Sequence, residues 1–149
     1  MYKKILVPLD GSELAECVLP HVKDIAAGCG GGQVVLLRVV EPLPAETPPA
    51  VDFEAVQRSG QKAAEEYLAK IKAQLSKEGL NVEGKVITGR AADAIADFAQ
   101  REKVDLVVIA THGRTGISRW VFGSVADRLI RSSPAPVLVI RPRGFGAGR

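Results

Sequence analysis

Five short runs rich in valine, isoleucine and leucine, the first four each followed by a stretch of helical spacing, constrain this chain more than any other feature. The runs cover 4–9, 33–40, 81–88, 104–110 and 137–141. They are too short for buried helices and carry many β-branched residues, which marks them as strands. Helices are expected over 13–29, 53–77, 91–102 and 124–132. In the longest, Ala64, Tyr67, Leu68, Ile71 and Leu75 follow the spacing of one buried stripe. Pro20 should kink the first helix or mark a late start. Residues 41–51 hold four prolines and form a loop or lid.

This alternation predicts an α/β fold: an open five-stranded parallel sheet with helices on both faces. Winding in two halves gives strand order 3-2-1-4-5, with the switch point between strands one and four. Ligands in such sheets sit outside the carboxyl ends of the strands at that point. Asp10 follows strand one and Ala110 closes strand four, so topology alone brings the two to one crevice. Strand three, alternating through Val82, Gly84, Val86 and Thr88, should be more exposed.

A length of 149 residues fits one domain, expected over 1–143 with a disordered tail at 144–149. No apolar run reaches the ~18 residues of a membrane span. Asp10 comes too early for a signal-peptide core, so a cytoplasmic location is expected. A net charge of +3 is too small to point to a nucleic-acid partner. Its distribution is uneven: residues 1–100 carry 11 basic and 14 acidic side chains, residues 101–149 carry 9 and 3. A solvated basic face and an anion-attracting one both account for that excess. Cys17 and Cys29 fall in one predicted helix, about 18 Å apart at ~1.5 Å per residue and too far for a disulfide, so both should be reduced thiols. No Cys/His spacing suggests zinc.

Residues 110–124 read A-T-H-G-R-T-G-I-S-R-W-V-F-G-S. A strand end, a glycine loop and a helix start in that order make an anion cradle, with backbone N–H groups and the helix dipole favouring negative charge. A nucleotide phosphate is the natural occupant. Gly113 and Gly123 would let the backbone approach it closely. Ser124, with Asp127 three residues on, should cap the last helix and can also donate its hydroxyl to a phosphate oxygen. Arg114 and Arg119 either neutralise phosphate or lie on the solvated surface. His112 reaches phosphate or ribose, or is structural. Trp120 packs under the loop or sits at an interface. Asp10 would be repelled by phosphates and should face the base or sugar; its alternative role is N-cap of the first helix, with Glu13 three residues later.

Gly113, nine residues, then Gly123-Ser124 resembles the ATP-binding signature G-x2-G-x9-G-[ST] of the universal stress protein family, with Ala110 in place of its first glycine. The opening from Tyr2 to Ser12 and the ending Pro136-Val137-Leu138-Val139-Ile140-Arg141 are similar to the family's first and last strands. The resemblance implies the Rossmann-like fold of the adenine nucleotide alpha hydrolases. It implies a site for ATP, ADP or AMP, with Mg2+ as a companion of the phosphates, formed by Pro8, Leu9, Asp10, Val39, Ile109, Ala110, His112, Gly113, Arg114, Gly123, Ser124 and Val125. In the family the residue matching Val39 offers backbone groups to the adenine edge, and the one matching Asp10 lies at the adenosine end. The resemblance also implies a homodimer through 137–141, where Val137-Leu138-Val139-Ile140 has no inward charge and no proline to guard an edge; the alternative is that the tail from Arg141 onward folds over it.

The reading that follows is a cytoplasmic stress-response protein that binds an adenine nucleotide. A signalling or interaction protein with an empty site is the alternative, and Ala110 is the feature that keeps it open. An enzyme is the third. His21 and His112 are the only histidines, and the sequence has no Ser/His/Asp arrangement and no G-x4-G-K-[ST] loop, so slow ATP hydrolysis is the most that is expected.

Overall fold

The structure, a computed structural model, describes residues 1–46, 48–111 and 122–142, for Phe122 and Gly123 the backbone alone. In chain order the elements are β1 (Lys4–Leu9), α1 (Glu13–Glu16), α2 (Leu19–Gly28), β2 (Gln33–Val40), α3 (Phe53–Lys77), β3 (Asn81–Thr88), α4 (Ala91–Arg101), β4 (Leu106–Ala110), α5 (Phe122–Ser132) and β5 (Val137–Ile140). The five strands form one sheet in the order β3-β2-β1-β4-β5. Every pairing is parallel. Strand order and the bounds of β1, β2, α3 and β3 agree with the sequence reading. Right-handed crossovers that run one way from β1 to β3 and the other way from β3 to β5 set α1, α2 and α3 on one face and α4 and α5 on the other.

The expected helix over 13–29 is two helices. Pro20 sits in the first turn of α2, where its missing N–H costs nothing, and the chain breaks between Glu16 and Leu19 to admit it. Cys17 therefore lies in the break and Cys29 just past α2, rather than in one helix; both are free thiols. β4 begins at Leu106, two residues later than expected, because Asp105 is spent on the sheet entry. Its carboxylate accepts the N–H groups of Lys3 and Lys4 at 3.0 and 2.8 Å, which ties the start of β1 to that of β4.

Strands β1 and β4 form the centre of the core. Ile5, Leu6, Val7 and Leu9 are fully buried, as are Val107, Val108 and Ile109. The stripe of α3 buries Ala64, Leu68, Ile71 and Leu75, the larger three contributing roughly 1.5–3 kcal/mol each. α3 packs closely over β3 at Gly84, where a Cβ would stand 3.4 Å from Leu68 Cβ, at van der Waals contact. β5 is an edge strand and its residues are only half-buried or exposed.

Candidate functional site at the switch point

The two central strands are paired only at their beginnings. Register runs Ile5↔Leu106 and Leu6↔Val107 and then stops. Three further residues of each strand, 7–9 and 108–110, rise to the carboxyl edge without a rung between them. Pro8 accounts for this locally. A proline in a central strand is tolerated only where no ladder donor is needed, and Pro8 stands where β1 and β4 part. On its other side β1 stays paired with β2 up to Leu9↔Arg38. The sheet thus opens at the switch point, with Leu9 on one wall and Ala110 on the other.

The β1 wall continues into a tight turn. Asp10 Oδ1 accepts hydrogen bonds from the Ser12 amide, at 2.9 Å, and from the Ser12 hydroxyl. Gly11 supplies the left-handed conformation the turn requires, with φ +88°. Ser12 Oγ in turn accepts from Ala15 N at 3.2 Å and is the N-cap of α1. The N-cap role considered for Asp10 belongs to Ser12; Asp10 holds the cap from behind. Its carboxylate remains half-buried at the rim of the crevice.

On the β4 wall, Ile109 is fully buried and Ala110 is 1% exposed. Ala110 has no positive φ. It closes a strand in extended backbone, where a methyl group brings no strain, so the departure from glycine is conformationally silent here. Thr111 N donates to Ile140 O at 2.9 Å, which ties the exit of β4 to β5.

The first turn of α5 holds Ser124 and Val125, the latter buried. The helix begins at Phe122 rather than 124. Ser124 is therefore its third residue, not its N-cap, and Asp127 lies too deep to close a capping box. Asp127 pairs instead with Arg131 one turn on, at 3.5 Å. Ser124 stands in the first turn of α5, at the amino end of the helix. His112, Gly113, Arg114, Arg119 and Trp120 lie outside the described residues. His21 is exposed on α2, on a different element from the crevice.

Beside Asp10 is a polar cluster that sequence reasoning passed over. Tyr67 Oη donates to Glu16 Oε2 at 2.8 Å across 51 residues of chain. Burial, and then the Glu16 carboxylate, push the phenol well above its ordinary pKa, and Asp10 and Arg38 are both within electrostatic reach of it. Arg38 Nη1 donates to the carbonyl of Val39 at 3.1 Å. Arg38, Gly11 and Tyr67 also line a cavity of about 480 Å³ between the end of β2 and α3. Glu41 Oε1 accepts from Ala91 N at 3.4 Å and so serves the amino end of α4 from another element. Only the half-apolar setting of Arg38, a charge inside the run 33–40, could have flagged any of these from sequence.

The chain matches the universal stress protein family over residues 1–141. It belongs to that family. Among curated relatives, the universal stress protein MJ0531 of Methanocaldococcus jannaschii is 33% identical over 142 residues, 95% of this chain and 83% of the relative. The solved structure of MJ0577, from the same organism, superposes with a TM-score of 0.82 at 31% identity, covering 97% of this chain and 99% of that one. A universal stress protein of Archaeoglobus fulgidus, solved in complex with dAMP, matches at 25% identity with a TM-score of 0.65, over 93% of this chain and 98% of that one. Among the described residues of this universal stress protein, no helix is long and apolar enough to cross a membrane.

Proposed function

We propose that this universal stress protein binds ATP or a related adenine nucleotide, ADP or AMP, in the crevice between β1 and β4, and acts through that binding in a cytoplasmic stress response. The observation that carries the reading is the early end of the β1–β4 ladder. It leaves a gap with a carboxylate, Asp10, at the end of one wall, and α5 follows the carboxyl end of the other wall, β4, in the chain. The two ends have opposite polarity. Helix-start N–H groups suit phosphates, and a carboxylate suits the hydroxyl and amino donors of adenosine. Phosphates therefore belong at Gly113, Arg114, Gly123 and Ser124, with His112 beside them. The base and sugar belong at Pro8, Leu9, Asp10 and Val39, with Ile109, Ala110 and Val125 as the apolar floor. The Archaeoglobus relative with dAMP bound supports the ligand class.

Among the described residues no group of three or more His, Cys, Asp or Glu is placed to hold a metal. Mg2+ would accordingly ride on the phosphate oxygens. We assign no catalytic residue, and hydrolysis is not part of the proposed role. The interaction-protein reading rested on Ala110, which stands in extended backbone and brings no strain there. Titrating the protein with ATP and with adenosine by calorimetry tests the proposal. Both should bind, ATP the more tightly; absence of binding by either at millimolar concentration contradicts it.

A further inference from the structure

The sheet ends in two edge strands, β5 and β3. Among the described residues β3 pairs along its whole length with β2 and with no other strand. A parallel ladder turns the N–H and C=O of one residue to one side and those of the next residue to the other. Gly89 N donates to Val40 O, so Gly89 faces β2, as do Ile87, Lys85 and Glu83 by alternation. The backbone groups of Val82, Gly84, Val86 and Thr88 therefore point out of the sheet.

That edge reads Val82-Glu83-Gly84-Lys85-Val86. The run is symmetric about Gly84 except that its two charges are opposite. An antiparallel copy of the strand, related by a two-fold axis at Gly84, would set Val82 against the partner's Val86 and Glu83 against the partner's Lys85, each pairing occurring twice. The register also suits the backbone, because the residues that meet as hydrogen-bonded pairs are the ones that turn outward. Glu83 and Lys85 then fall at the non-hydrogen-bonded positions, where facing Cα atoms are closest, about 4.5 Å apart. Within one chain Lys85 Nζ and Glu83 Oε1 stand 2.9 Å apart, with side chains 47% and 42% exposed, so both can reach a neighbour. Charges on an edge strand normally guard it, because pairing would bury them. A two-fold copy is the partner against which this guard fails, since it brings an opposite charge to each.

α3 repeats the pattern on the face it covers. It packs on both β2 and β3, with Leu68 over Gly84. Glu65, Ala69 and Lys72 line one side of an open cleft of about 310 Å³, and Gly84, Lys85 and Val86 line the other. The axis at Gly84 passes beside Leu68 and Ala69. Glu65, one turn before, would therefore face the partner's Lys72, one turn after. A helix seated between strands ~4.8 Å apart lies about 5 Å from that axis, so the two α3 helices would stand about 10 Å apart, an ordinary packing distance.

We propose that the β3 edge is a self-association surface, to which a second copy of this chain adds as an antiparallel strand with Gly84 at the two-fold axis. The surface lies on the opposite edge from β5 and needs no nucleotide. The contact is short, so a dissociation constant on the order of 100 µM is expected.

Sedimentation equilibrium from about 10 µM to about 1 mM brackets that constant. The average mass of the wild type should climb above its low-concentration value towards the upper end, and high salt should suppress the climb. Glu83→Lys alone, or Lys85→Glu alone, sets like charges together at both positions and should weaken association about ten-fold or more. An equimolar mixture of the two variants should recover it, because every pair between the two kinds of chain is again of opposite sign. Neither variant regains the ion pair within its own chain, so recovery reports the contact between chains. Val86→Pro removes an outward donor, spares the β2 ladder and should abolish the climb as well, which decides the matter if a charge variant does not fold. A wild type of constant mass over the whole range, folded variants that associate like the wild type, or a mixture of folded variants that does not recover would each overturn the assignment.

Discussion

Asp10 and Ser12 are joined twice, the Asp10 carboxylate accepting both the amide and the hydroxyl of Ser12. The hydroxyl is thereby oriented to cap α1 through Ala15 N. One side chain thus couples the first helix to the rim of the crevice. Asp10→Ala should cost about 1 kcal/mol of stability, the usual scale for a cap or a hydrogen bond. It should also weaken adenosine and ATP by similar factors, because the carboxylate serves the half they share. ATP binding that tightens sharply while adenosine is unaffected would show that Asp10 lies near phosphates and that the orientation is reversed. Chemical denaturation and calorimetry supply the two readings.

Gly123 is the second helical residue of α5. A helix accepts valine at least as well as glycine, so Gly123→Val should fold normally. It should nevertheless abolish ATP binding, because two methyl groups would stand where phosphates approach. Unchanged ATP affinity in the folded variant would remove the phosphate assignment from this turn.

Tyr67 gives a pH dependence of defined sign. Burial and Glu16 raise its pKa in the folded state. Below the ordinary phenol value of about 10 both states keep the proton, and the contribution of Tyr67 is complete. Above it the unfolded chain releases the proton first, and stability falls as pH rises. Tyr67→Phe should lower stability by about 1 kcal/mol at neutral pH and flatten the fall above pH ~10. An alkaline limb identical in both proteins would contradict this.

The homodimer through β5 remains a proposal, and backbone directions choose its test. The Pro136 and Ile140 carbonyls accept from Val107 N on β4 and from Thr111 N just past its end. By alternation the Leu138 backbone also faces β4, and that of Val139 faces outward. Val139→Pro removes an outward donor and should yield a folded monomer, whereas Leu138→Pro breaks the β4 ladder and should destabilise the protein. Sedimentation of the wild type as a monomer at micromolar concentration would contradict the dimer.

Much of this architecture was legible in the sequence because it rests on local patterns. The apolar runs of β1 and β2 and the stripe from Ala64 to Leu75 carry their own periodicity, and strand order follows from alternation and handedness. The split at Pro20 was half legible: the proline was visible, but which side of it would stay helical depends on packing. Ser124 misled because S-x-x-D names a helix start without excluding an earlier one, and α5 begins two residues sooner. The bond from Arg38 to the Val39 carbonyl was not legible, because no spacing within 33–40 records which way the arginine turns at the end of the strand. Ser12 was written in the same turn as Asp10, but a carboxylate and a hydroxyl two residues apart compete for the cap, and only geometry decides between them.

The central claim is that an adenine nucleotide occupies the gap between β1 and β4. The most direct measurement is to denature the freshly purified protein and chromatograph the supernatant. The account predicts ATP, ADP or AMP released in near-stoichiometric amount, or uptake to that level after incubation with ATP and removal of the excess. A protein that releases no nucleotide and takes none up would contradict it.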